Sequence, residues 1–503
     1  MNKENLKSHP WDFYSKLILI SFSFLQILRW RIFPQFVDIY YHTLTAWGFI
    51  EAGGYSSWDF WQYAPLGRPH IYPPFFHIIL SALLKLGIDK IFIAKFFETI
   101  VPILFLVTLW YFMKKNYSGR LSFFILVMAA SSFSFYISLS NNIPATLAVI
   151  LGFFVFHYLF RKKFLRALLL LALCFYTHIG VSWFFAFSVL LFGLLNRQYR
   201  KLSLLVCLSA IILSAPILIK QFYGLKLISL SGINEKYFCE FKPVDYLLAL
   251  SGLIMAFMMK EKYFLFPGLF FASFIFLFYP YRFFSAQGYL PIACLCALSL
   301  DLIYERLKNN ECLKSLAFVL AAFIMLISPT ILMYKPNEAD KLNYRLYFFD
   351  SALVNIVLPA YHQRIASAGL WFPNEYLPIS KLIRENCEKG DIIYSRFHIL
   401  GVCLSAISGR ATANGLFSEM GIPSKFDPLS ASKMVVAFQG EDRQWLKDAL
   451  DKHNLIEVGE NKYFILYKNP SVQAKVDIKK ATVPFWAIWL IGFTFVLLFL
   501  SGR

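Results

Sequence analysis

The chain has 503 residues, of which 58% are hydrophobic and only 16% charged, and 55 of them are Phe. Its mean hydropathy is +0.56, whereas a soluble chain of this size carries about a quarter charged residues, so composition excludes a water-soluble globular protein. The formal charge of +19 is read as Lys and Arg collected in cytoplasmic turns, where they fix orientation; with no basic face or aromatic platform, nucleic-acid binding is set aside.

In chain order, the apolar run 17–28 follows Lys16 and has no small-residue cleavage site after it, so it reads as an uncleaved signal anchor. Placing the basic turns 114–120, 161–166, 197–201, 260–262 and 306–314 on one side threads the chain as twelve spans. These are roughly 15–33, 91–113, 120–138, 143–160, 164–178, 181–196, 201–219, 243–259, 263–279, 283–304, 315–333 and 481–500. The threading requires 72–87 to lie at the outer interface. That segment is short for a span, opens on Pro73-Pro74 and carries His77.

The expected organisation is therefore a transmembrane domain over 1–333 with a long first external loop (34–90), an external segment over 334–480, and a C-terminal transmembrane helix in 481–503. A second outward loop covers 220–242. Within 371–475, helical patterns at 379–387, 399–407 and 442–450 alternate with strand patterns at 391–395, 434–438 and 463–467. That order predicts a small external α/β domain. It contains no GxGxxG or Walker sequence, which argues against nucleotide binding. Cys174, Cys207, Cys294 and Cys296 sit in apolar runs as small hydrophobes, while Cys387 and Cys403 share the outer segment and could pair there. No Cys/His spacing marks a zinc site.

The chemistry concentrates in the first loop. Asp38 precedes a helical pattern through Leu44, Trp47 and Ile50, and by position alone it is either an N-cap or a catalytic acid. His42 shares its face one turn on. An interfacial aromatic belt accounts for Trp58, Trp61 and Tyr72. It does not account for Gly67-Arg68-Pro69-His70, where a cation and an imidazole on a rigid backbone suit an anionic headgroup such as a lipid phosphate.

The order Asp38-Ile-Tyr40-Tyr-His42 after the first span, then Trp58-Asp59, Pro65-Leu66-Gly67-Arg68 and Tyr72-Pro73, resembles the first external loop of the catalytic subunit of oligosaccharyltransferase. That subunit belongs to the GT-C superfamily of membrane glycosyltransferases. Tyr281-Arg282-Phe283 is similar to the family's Arg-Phe segment opening a late span. The resemblance implies a GT-C-like polytopic α-helical membrane fold. It implies transfer of a sugar or oligosaccharide from a polyprenyl-phosphate or -diphosphate donor to a glycan, lipid or protein acceptor. The expected setting is the plasma membrane, with the site facing outside. Asp38 matches the family's first-loop acid, a metal ligand or general base, and Arg282 a position near the donor phosphate. His42, Asp59, Arg68, His70, Tyr72, His77 and, in the turn 177–180, His178 are the further expected substrate contacts.

Two departures qualify that expectation. The family's second acid falls where this chain has Ser140-Asn141-Asn142. Asp38 and Asn142 would then hold the implied Mg2+ or Mn2+, Asn being the weaker ligand, which leaves metal dependence open. The Trp-Trp-Asp-Tyr-Gly motif is missing from the external segment, so transfer to protein Asn is not supported. Glu98, inside the second span, and Glu419, in the loop 414–428, are secondary candidates. The rival classes are a transporter or flippase of lipid-linked sugars, which calls for paired repeats the chain lacks, and a GT-C homologue that binds polyprenyl lipid without catalysis.

Overall fold

The computed structural model describes residues 10–28, 37–224, 239–307, 330–334, 343–347, 373–416, 426–441 and 443–501, with a few isolated positions besides. It is a helical membrane protein. Its first helix, α1 (Pro10–Leu28), is followed by α2 (Val37–Ala52), three two-residue strands, β1 (Gly54–Tyr55), β2 (Trp58–Asp59) and β3 (Arg68–Pro69), and α3 (Phe75–Lys85). The 11 residues of α3 are too few to cross a bilayer, which takes about 20.

The bundle continues with α4 (Lys90–Asn116), α5 (Gly119–Ser131), α6 (Phe133–Asn141), α7 (Ile143–Phe160), α8 (Phe164–Thr177) and α9 (Ile179–Leu195). Asp89 caps α4 by accepting from the Phe92 N–H at 2.9 Å, and Lys114 and Lys115 close it, an arrangement that complements the helix dipole at both ends. Then come α10 (Arg200–Leu213), α11 (Ala215–Gly224), β4 (Cys239–Phe241), α12 (Pro243–Met259), α13 (Leu265–Ala272), α14 (Pro280–Phe284) and α15 (Tyr289–Leu307).

Among the described residues, α1, α4, α7 and the stretch from α14 through α15 are each long and apolar enough to span. Two expected spans are bent instead. The chain turns 84° between α5 and α6, where Ser132 ends one helix and caps the next, and 68° between α10 and α11. Pro216, near the start of α11, lacks the N–H that would continue the ladder. The expected span 263–279 is divided as well, with α13 between two 3-10 turns, Glu261–Phe264 and Ser273–Phe276. The spans expected at 164–178, 181–196, 243–259 and 481–500 correspond to apolar helices of 14 to 17 residues.

Nearly half of the expected span 315–333, and most of the loop 220–242, lie outside the described residues. The span's last residues correct the expectation: Thr330–Tyr334 is a strand, β5, pairing with β4 on one side and with β6 (Asn343–Tyr347) on the other.

The expected strand–helix alternation is present as α16 (Pro373–Asn386), β7 (Ile392–Tyr394), α17 (His398–Ser408), β8 (Ala411–Thr412), α18 (Pro428–Ala431), β9 (Met434–Phe438), α19 (Arg443–His453), β10 (Ile456–Glu460) and β11 (Phe464–Lys468). The strands form one five-stranded sheet in the order β10-β11-β9-β7-β8, with β7 parallel to both its neighbours. Gly409, in the left-handed region at φ 69°, ends α17. The chain closes with β12 (Val483–Pro484), paired to β1, and α20 (Phe485–Ser501). Cys387 and Cys403 are both buried free thiols and do not pair.

Two apolar cores organise the molecule. One fills the bundle, from Phe22 and Phe105 through Phe153 and Phe185 to Leu298. The other joins α2 and α3 to the sheet, with Tyr41, Phe49, Trp61 and Phe76 in the same cluster as Ile393, Val402 and Phe464. The first loop and the α/β unit thus form one packed body.

Candidate active site

The loop is fastened to the sheet through its own backbone. Trp61 C=O accepts from the Thr412 N–H at 3.0 Å, the Ala64 N–H donates back to Thr412 C=O at 3.0 Å, and the Tyr63 N–H donates to Asn414 C=O at 3.0 Å. The loop therefore continues the sheet beyond β8. Gly67 makes the tight return between β2 and β3 possible. Its φ is +67°, and a Cβ there would stand 2.5 Å from Asp59 O and from Trp58 Nε1.

Asp59 and Arg68 face inward. Arg68 Nε donates to Asp59 Oδ2 at 3.2 Å, and both side chains are 1% exposed. The other end of the guanidinium donates to Leu416 C=O at 3.0 Å, and the Leu416 N–H donates to the Gln62 side-chain oxygen at 2.9 Å. Burial pushes the Asp59 carboxyl up to about 6, against the pull of Arg68 and of the Gln62 and Trp61 N–H groups. Asp59 and Arg68, expected as substrate contacts, here clamp the loop to the segment after β8.

The remaining expected residues converge. Asp38 lies in the first turn of α2, where the helix dipole favours a carboxylate, rather than before the helix. One turn on, the fully buried His42 stands beside His77 of α3, with Nδ1 of the first 2.8 Å from Nε2 of the second. Tyr72 packs edge-on against His42, at 5.3 Å between ring centroids, and against His178 at 6.1 Å. His70 is buried among Phe49, Trp61 and His77. Burial pushes the Tyr72 phenol well above its ordinary range; the Asp38 carboxylate adds to that rise and the Arg282 guanidinium opposes it. An anion and a cation on separate elements thus act on one phenol from the two parts of the chain.

Arg282, in α14, donates to the Gln287 side-chain oxygen at 3.0 Å, and the Gln287 amide donates to Ser138 Oγ of α6 at 3.1 Å. Asn142, which ends α6 and begins α7, donates its N–H to Ser138 C=O at 3.0 Å, so Arg282 and Asn142 are tied to the same residue. The Asn141 side-chain oxygen is buried with no hydrogen-bond partner. His178 caps α9 by accepting from the Val181 N–H on Nδ1 at 3.2 Å, which leaves the ring proton on Nε2. Gln287 and Ser138 were missed from sequence; the only signal was their place near Arg282 and Asn142. Glu98 is buried within α4, and Glu419 lies outside the described residues.

The donor set fits the implied divalent cation poorly. Among the described residues no three His, Cys, Asp or Glu side chains come together to hold a metal ion. Of the expected ligands Asp38 and Asn142, the second supplies only a neutral carbonyl, so a single carboxylate is left for the cation, at the low end of the one or two carboxylates that hold Mg2+ alongside waters and substrate phosphates.

The fold is similar to those of an oligosaccharyltransferase and of ArnT, both GT-C membrane glycosyltransferases. The oligosaccharyltransferase AglB from Archaeoglobus fulgidus, solved with an inhibitory peptide and a dolichol-phosphate, aligns over 91% of this chain and 74% of its own at a TM-score of 0.55 and 12% identity. ArnT from Cupriavidus metallidurans in the apo state aligns over 91% of this chain and 97% of its own, at a TM-score of 0.54 and 12% identity. A second Archaeoglobus fulgidus structure, tethered to an acceptor peptide containing the NVT sequon, gives a TM-score of 0.51 at 12% identity, covering 88% of this chain and 68% of that one. At this identity the likeness is one of fold. No family model matches the chain, and no curated protein matches its sequence.

Proposed function

We propose that the protein is a membrane glycosyltransferase that moves a sugar or oligosaccharide from a polyprenyl-phosphate or -diphosphate donor to an acceptor. On this reading twelve spans carry the first loop and the α/β unit on the outer face of the plasma membrane. The observation that carries the proposal is the fold shared with GT-C enzymes, in which Arg282 is tied through Gln287 to Ser138, the residue that also holds Asn142.

In the reaction, the acceptor's nucleophilic oxygen or nitrogen forms a bond to the anomeric carbon as the bond from that carbon to the phosphate oxygen breaks. The electron pair leaves on the phosphate, and the acceptor's proton passes to Asp38. Asp38 acts as the base. Arg282, held by Gln287, neutralises the charge that grows on the departing phosphate. His178, with its proton on Nε2, and Tyr72 supply donors beside it. AglB was solved with a dolichol-phosphate, a lipid of the donor class this reading requires.

The test compares polyprenyl-linked sugars and surface glycans, by mass spectrometry, in cells carrying the wild type, Asp38→Asn or no copy of the protein. Loss of one glycan and accumulation of one lipid-linked sugar, alike in Asp38→Asn and in the deletion, is the expected result. A normal profile in cells carrying Asp38→Asn would remove Asp38 from the chemistry; a normal profile in the deletion would remove the transferase reading.

A further inference from the structure

The α/β unit holds a second cleft that shares no residue with the site above. Its volume is ≈ 610 Å³, and it is lined by Arg396, Phe397, Phe438, Gln439, Gly440, Glu441 and Tyr463. Its position follows from topology. β7 and β9 are adjacent and parallel, so their carboxyl ends lie at the same edge of the sheet. Ser395-Arg396-Phe397 leaves β7 and Gln439-Gly440-Glu441 leaves β9.

The two exits diverge. From β7 the chain passes through α17 to β8 at one margin of the sheet, and from β9 it passes through α19 to the opposite margin. The two helices cover opposite faces. Val402, Cys403 and Ile407 of α17 share a core with Met434, Val436 and Phe464, whereas Trp445, Leu446 and Leu450 of α19 pack with Val435, Ala437 and Tyr467. Where strand order reverses in this way, the departing loops leave a crevice at the carboxyl ends of the strands, and open α/β sheets bind ligands there.

The lining defines the ligand's chemistry. Phe397 and Phe438 meet edge-on at 5.8 Å, and with Tyr463 they offer aromatic faces to the C–H side of a sugar ring. The Arg396 guanidinium lies 5.4 Å from the centre of the Trp445 ring, a cation–π contact. Two residues on, α17 begins with Phe397 as its N-cap, which makes no side-chain cap bond, so its amino end favours negative charge. On the facing wall, the Glu441 carboxylate accepts from the Phe438 N–H at 3.0 Å and disfavours a polyanion. The turn Ser395-Arg396-Phe397-His398 has no glycine, so the backbone cannot close around a pyrophosphate as it does in dinucleotide sites.

We propose that this cleft binds a saccharide carrying a single acidic group, with its ring against Phe438 and Tyr463 and its acid on Arg396 at the start of α17. The acid could be a sugar carboxylate or a sugar phosphate, both of which present anionic oxygens to the guanidinium, the phosphate with the larger charge. The site is independent of the transfer reading, since neither Asp38 nor Arg282 contributes to it.

Calorimetric titration of the full-length protein in detergent with glucuronic acid, glucose 6-phosphate, glucose and inorganic phosphate tests the assignment. At least one acidic sugar is expected to bind about tenfold or more tightly than both glucose and phosphate. Which of the two does so identifies the acid. Gly440→Trp is the closing variant, because Gly440 lines the cleft and a Cβ there meets no atom of the described residues within 4 Å, so the indole adds bulk at the cleft without a clash. Gly440→Trp and Arg396→Gln are each expected to weaken binding about tenfold or more, with the thermal midpoint of Gly440→Trp unchanged. Equal binding of glucose, no binding of either acidic sugar, or unaltered binding in Gly440→Trp would each overturn the proposal. Failure here leaves the Asp38 test untouched.

Discussion

Nδ1 of His42 and Nε2 of His77 stand 2.8 Å apart, joining two residues separated by 35 positions, and both rings are fully buried. A neutral imidazole carries one proton, so whichever ring donates, one nitrogen of the pair is left as a bare acceptor and another as an unused N–H. Among the described residues the outer nitrogens, His42 Nε2 and His77 Nδ1, are buried without hydrogen-bond partners, and so is His70 Nε2.

Burial holds the pair neutral and pushes His77 down to about 3; His42 and His70 are also held well below the ordinary histidine range, chiefly by burial. The groups around them are Tyr41, Tyr72, His178, Arg68 and Lys220. Because the unfolded chain takes up protons below about 6.5 and the folded chain does not until much lower, stability falls as pH drops from 6.5 toward 3. The slope is about 1.4 kcal/mol per pH unit for each histidine. Thermal unfolding in detergent at pH 7.5 and 5.0 is expected to show this loss, with a shallower loss in His77→Leu. A wild-type midpoint that does not move over this interval would refute it.

The Asp59–Arg68 clamp predicts an asymmetry. Arg68→Met leaves a buried carboxylate and the Leu416 carbonyl unpaired, and is expected to cost about 3–5 kcal/mol. Asp59→Leu strands the guanidinium at a similar cost. With both replaced, no charge remains buried, and the loss should fall well short of the sum of the two. Limited proteolysis of the first loop, read beside thermal midpoints, checks this. Strict additivity would mean that the two side chains act separately.

Legibility from sequence followed the range of each interaction. The apolar runs and the strand–helix alternation were readable because each depends on its own residues. The break between α5 and α6 was not readable: Ser132 is a mild signal, and the Ser131 carbonyl freed there is satisfied by the Lys242 ammonium at 3.2 Å, 111 positions away. Asp38 and Arg282 were chosen by their likeness to family motifs and His42, Tyr72, His77 and His178 by residue type and place in the loops. The tie from Arg68 to the Leu416 carbonyl, 348 positions away, has no local signal in the sequence.

Gly67 gives a local test of the same loop. Ala at φ +67° adopts a conformation that L side chains rarely take, and its Cβ would meet a backbone oxygen at 2.5 Å that has no room to retreat. Gly67→Ala is expected to destabilise the protein by more than about 1 kcal/mol. Its signature should match Arg68→Met, with earlier loop cleavage and an intact helical circular dichroism spectrum. A neutral effect would mean that the β2–β3 return carries no strain.

The chain of contacts from Arg282 through Gln287 to Ser138 separates charge from placement at the candidate site. Arg282→Gln removes the cation that would stabilise the departing phosphate, an interaction that grows in the transition state, so kcat for sugar release from the lipid donor should fall about 100- to 1000-fold with a smaller change in KM. Gln287→Ala leaves the guanidinium but frees it from α6, and misplacement alone should cost about 10- to 100-fold. Gln287→Glu can still accept from Arg282 but cannot donate to Ser138, so it should fall between the wild type and Gln287→Ala. If Gln287→Ala matched the wild type while Arg282→Gln was inactive, Arg282 would act without its tether, and α6 would carry no share of the geometry.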